Sequence, residues 1–81
     1  MKNLSPTECV QILEAMGVRP SLIAKAVGRP YYVITRTAQG SDPGYEVTDA
    51  LRVLVKKRYL QVRGLYAELE ARYGKEAENA R

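Results

Sequence analysis

The sequence predicts an all-α fold of three short helices followed by one long helix, and two observations carry that expectation. Apolar residues recur at spacings of three and four along most of the chain, which is the helical period. A glycine stands where each short periodic segment gives out, at Gly17, Gly28 and Gly40. The chain has 81 residues, enough for one small domain whose core is marginal, so a second copy is expected to complete it.

The first helix is expected over Pro6 to Met16. Ser5, Pro6 and Glu8 form a capping box with proline at the first helical position, and Leu4 and Cys9 sit where a hydrophobic staple would place them. Val10, Ile12, Leu13 and Met16 supply its apolar side, and Val18 can fold back on Leu13 after Gly17. The second helix starts near Pro20, is mostly apolar through Leu22, Ile23, Ala24, Ala26 and Val27, and ends at Gly28. The third runs from Pro30 to about Gln39, with Pro30 as its first residue, although Tyr31 to Thr35 also have the propensity of a β-strand and its tyrosines could equally be core aromatics. Ser41, Asp42, Pro43 and Gly44 make a turn. The long helix is expected from Glu46 to Tyr73, ending at Gly74, with 75–81 as a frayed polar tail.

Thirteen Lys and Arg stand against nine Asp and Glu, a net charge of +4. That balance admits a nucleic-acid partner without requiring one. There is no His and a single cysteine, Cys9. A zinc site of the usual ligands, an intrachain disulfide, and general-base or nucleophilic chemistry all lack their residues, so neither a cofactor nor catalysis is expected. No apolar run is long enough for a membrane span, and the N-terminus has no signal-peptide core, so a reducing, cytoplasmic location is expected. Nothing suggests a pocket for a small-molecule ligand.

The spacing of Ala24, Gly28, Ile34 and Gly40 meets the requirements of a helix-turn-helix. A small residue, Ala24, lets the second and third helices approach. Gly28 four residues later takes the left-handed turn, Ile34 six residues beyond pins the third helix, and Gly40 ends it. On these residues the stretch from Leu22 to Leu54 resembles the helix-turn-helix of lambda-repressor-like and Cro-like regulators of phages and plasmids. It departs from their pattern at Pro20, where a polar residue is usual, and at Arg29, where an apolar one is.

The resemblance implies that the third helix faces double-stranded DNA, and with Ile34 and Thr37 or Ala38 turned inward the helical period agrees. Tyr31, Tyr32, Thr35, Arg36 and Gln39 then point outward. Arg36 suits guanine and Gln39 adenine in the major groove. Ser21, Lys25, Arg29 and Ser41 are candidates for backbone contacts, with the N–H groups of Gly40, Ser41 and Gly44 left to meet a phosphate. Five basic and no acidic residues lie from Arg52 to Arg63, of which Lys56 and Lys57 are the candidates for phosphate contact.

Val55, Tyr59, Val62, Tyr66, Leu69 and Tyr73 follow alternating spacings of four and three, the period of a helix–helix seam. Val47, Leu51 and Leu54 are expected to face the core from a separate surface of the same helix. The seam is read as a homodimer interface, in a coiled coil or a looser antiparallel pair, holding two reading heads for half-sites about 34 Å apart; packing of the stripe on the first helix is the alternative. The function expected is that of a small homodimeric transcriptional repressor. The alternatives are a DNA-organising, partition or small terminase-like packaging protein, and an inhibitor that docks its Tyr-rich helix on another protein.

Overall fold

The structure is a computed structural model that describes residues 3–79, and the side chains of residues 3–74. It is all-helical, with α1 at Pro6–Ala15, α2 at Pro20–Val27, α3 at Tyr31–Ala38 and α4 at Tyr45–Asn79. No strand occurs among the described residues. The strand-like segment Tyr31 to Thr35 is therefore helical, and its tyrosines lie on the surface rather than in the core. The propensity of β-branched and aromatic residues gives way here to the buried stripe of a helix.

Cap chemistry sets the ends of α1. The Glu8 N–H donates to Ser5 Oγ, and the Ser5 N–H donates to Glu8 Oε1, so the capping box is closed in both directions. At the other end the Val18 N–H reaches back to the Leu13 carbonyl at 2.9 Å, and the Gly17 N–H to that of Glu14 at 3.0 Å. This is a Schellman ending, with Gly17 left-handed. α2 ends the same way, with Arg29 N–H donating to the Ala24 carbonyl. Neither α2 nor α3 has a side-chain cap. Pro30 stands outside α3 as its N-cap, with ψ 152°, instead of forming its first residue.

The core is one cluster: Cys9, Val10 and Leu13 of α1, Ile23 and Ala24 of α2, Ile34 of α3, and Val47 and Leu51 of α4. α1 and α2 pack against each other, and α3 and α4 each pack on both of them. Among the described residues α3 and α4 make no close Cα approach to one another.

α4 differs most from the sequence expectation. It continues through Gly74 to Asn79, so Gly74 does not end it and 75–79 is helix, not frayed tail. Neither Gly64 nor Gly74 takes a positive φ, and the helix-forming residues after Gly74 carry it on. Residues 80 and 81, also assigned to the tail, lie outside the described residues. The separation of two surfaces on this helix is also not what is found. Val55, expected in the seam, packs against the core together with Leu54. One stripe runs from Val47 to Tyr73: it meets the core through Val47, Leu51 and Val55, then emerges with Tyr66, Leu69 and Tyr73 exposed.

Cys9 is fully buried, and burial raises its thiol pKa above the ordinary 9.0. Labelling by a soluble disulfide reagent is therefore expected to be slower in the native protein than in the unfolded chain by at least about a hundredfold. A pKa raised on folding leaves the thiol's contribution intact below its unfolded value and removes it as pH climbs through the folded value. The stability gap between the wild type and Cys9→Ala should accordingly narrow as pH rises past 9.0, measured by urea denaturation at several pH values.

Candidate nucleic-acid interface

The site is built on the α2–α3 corner. Gly28 sits at φ 69°, left-handed, and three residues, Gly28 to Pro30, separate the two helices. Ala24, only 5% exposed, lies in the α2 face turned to the core, where its small side chain permits close packing. Ile34 is the single fully buried apolar residue of α3. Thr37, also buried, donates from Oγ1 to the Val33 carbonyl at 2.7 Å, and Thr7 Oγ1 donates to the Thr37 carbonyl at 2.7 Å. That second bond joins residues thirty apart and ties the end of α3 to the start of α1. No sequence signal marks Thr7 for this task.

With its inner side held this way, α3 presents Tyr31 and Tyr32, 56% and 57% exposed, together with exposed Arg36 and Gln39. Thr35 is half-buried, and its hydroxyl donates to the Tyr32 carbonyl. The Arg36 guanidinium lies over the Tyr32 ring, 5.3 Å from its centroid. An exposed cation–π contact of this kind contributes about 0.5–1 kcal/mol and narrows the positions open to the arginine. The four-residue spacing is its sequence signal. Tyr32 and Arg36 share a hollow of about 250 Å³ with Val33, Ser41, Asp42 and Pro43. Asp42, a residue of the turn after α3, thus puts an acidic group at the edge of the surface.

Ser21 and Lys25 are exposed on α2. Arg29 is exposed too, but its Nη2 lies 3.5 Å from Glu46 Oε2. From Ala15 to Ser41 there are four basic residues, Arg19, Lys25, Arg29 and Arg36, and no acidic one. The expected open N–H groups are all engaged: Gly40 donates to the Thr37 carbonyl, Ser41 to that of Arg36, and Gly44 to Asp42 Oδ1. Closing the end of α3 as a third Schellman turn consumes the first two, and an Asx turn consumes the remaining one.

The basic segment of α4 divides. Arg52 Nε donates to the Leu4 carbonyl at 2.9 Å, and Arg58 Nη2 to the Met16 carbonyl at 3.1 Å, where α1 has its negative end. Arg58 Nε is buried without a hydrogen-bond partner. Both arginines therefore brace α4 against α1. Lys56 is exposed, and Lys57 lines a groove with Ala26, Val27 and Leu54 between α2 and α4. The two lysines are not brought together with α3. No known protein family, curated protein or solved structure matches this chain.

Two stability measurements check this division of labour. Ile34→Ala should cost about 2–5 kcal/mol in urea denaturation, whereas Tyr31→Ala and Gln39→Ala should each stay within about 0.5 kcal/mol and Arg36→Ala, which loses the contact with Tyr32, within about 1 kcal/mol. Arg52→Met should cost about 1–2 kcal/mol, since it removes a charged donor from the Leu4 carbonyl.

Proposed function

We propose that the chain is a sequence-specific DNA-binding protein, that α2, the Gly28 turn and α3 form its helix-turn-helix, and that α3 reads the major groove. The observation that carries this reading is the contrast between the two sides of α3. Its inner side is fixed by Ile34 and Thr37, and its outer side leaves Tyr31, Tyr32, Arg36 and Gln39 exposed; the stretch from Ala15 to Ser41 carries four basic residues and no acidic one, with Asp42 and Glu46 at its edge. A rigid helix whose outward side chains have no structural duty is what base readout needs, because specificity depends on holding donors and acceptors in register with base edges.

In this reading Arg36, steadied by Tyr32, makes a bidentate pair with guanine, and Gln39 pairs with adenine. Tyr31, Thr35, Ser21 and Lys25 contact the backbone. Arg29 contributes less, because Glu46 offsets its charge. Binding at a promoter would exclude polymerase, so the protein acts as a small repressor, and a second copy of the chain would supply the second half-site.

Selection from random double-stranded DNA should return one preferred sequence. On that sequence Arg36→Ala should lose about 1–3 kcal/mol of binding energy, and Lys25→Ala should weaken all sequences alike while lowering the salt slope by about one. Fluorescence anisotropy across a salt series reads both. Affinity that ignores salt, or an Arg36→Ala protein that binds the selected site as well as the wild type does, would end the proposal.

A further inference from the structure

The stripe that docks α4 on the core does not stop where the core stops. Beyond Arg58 and half-buried Val62 it continues with Leu65, Tyr66, Leu69 and Tyr73, which are 56%, 67%, 40% and 53% exposed. From Val62 to Asn79 the helix runs on for about 27 Å. An isolated helix of this length is marginal in water, and Gly64 and Gly74 each weaken it by about 1 kcal/mol relative to alanine. A helix with an apolar stripe and two helix-weakening glycines calls for a surface to pack on.

We infer that this surface is the same segment of a second copy, paired antiparallel, with Tyr66 against the partner's Leu69 and Val62 against the partner's Tyr73. Two observations select this arrangement. The core sits on the same stripe of α4 that would form the seam. Packed helices lie about 8–10 Å apart, so a parallel pair would force both cores into one level of the space between them. Antiparallel pairing sends the two cores to opposite ends and leaves Val62 to Tyr73 as the shared segment, with the two-fold axis passing between Ala67 and Glu68.

Charge makes the same choice. Arg63 and Glu70 are seven residues apart and lie on one flank of the stripe. In an antiparallel pair like flanks face each other, so Arg63 of each copy meets the partner's Glu70, twice by symmetry. In a parallel pair Arg63 would face the flank that carries Arg58, like charge against like.

The inference rests on α4 alone and stands apart from the role given to α3. It is tested on the full chain by sedimentation equilibrium at high micromolar concentration, with circular dichroism and urea denaturation to show that each variant stays folded. The wild type should have twice the 9.1 kDa monomer mass. Leu69→Asp should raise the dissociation constant by about a hundredfold or more. Arg63→Glu should raise it by about tenfold, and adding Glu70→Arg to that variant should restore it to within about threefold. A monomeric wild type, a trimer or larger assembly, or an Arg63→Glu protein that associates as tightly as the wild type or more so would overturn the inference. A monomer would leave the DNA-binding proposal standing, since that is read separately with duplex DNA.

Discussion

α3 gives one fully buried apolar side chain, Ile34, to the core, and its position depends on that side chain and on the hydrogen bonds around Thr37. Everything the proposed surface does follows from how little of α3 is spent on attachment. An eight-residue helix has just over two turns, so one buried stripe leaves most of its side chains outside. Thr37 extends the attachment without adding apolar bulk. Its hydroxyl and its carbonyl both have partners, so a polar residue is buried without leaving an unmet hydrogen bond. The Thr7 bond also makes α1 a direct support of α3, and the capping box that begins α1 therefore bears on the proposed surface one step removed.

The eight buried apolar residues among those described make a small core for four helices. The molecule compensates at the ends of its helices. Arg52 and Arg58 reach from α4 to carbonyls at the two ends of α1, so α4 is fixed along α1 by charge-assisted hydrogen bonds as well as by Val47, Leu51 and Val55. This use of two arginines alters the meaning of the basic segment. A run that reads as a phosphate-binding strip is in part the bracing of a small fold. The positive surface that remains near α3 is made by Lys25 and Arg36, with Arg29 moderated by Glu46.

The short helices were legible because their signals are local. Ser5, Pro6 and Glu8 act within one turn, and a left-handed glycine with the residue after it closes a helix using groups at most five positions away. The outward side of α3 was legible for a related reason. Once Ile34 is inward, the helical period places Tyr31, Tyr32, Arg36 and Gln39 without reference to the rest of the fold. The N–H groups of Gly40, Ser41 and Gly44 are not open as the sequence suggests, because the helix-ending motif that Gly40 announces consumes the first two and the Asp42 side chain takes the third.

The sequence by itself pointed to an all-helical chain, with a strand at Tyr31 to Thr35 as the alternative, placed the ends of its three short helices to within one residue, and indicated which side of α3 is turned out. Only the tertiary structure decided that Arg52 and Arg58 brace α1, that Thr7 holds α3, and that α4 carries one continuous stripe, half covered by its own core and half exposed. The reason is sequence distance. Caps and periodicity act between residues a few positions apart, whereas the bonds from Arg52 to Leu4 and from Arg58 to Met16 span 48 and 42 positions and exist only once the helices have packed.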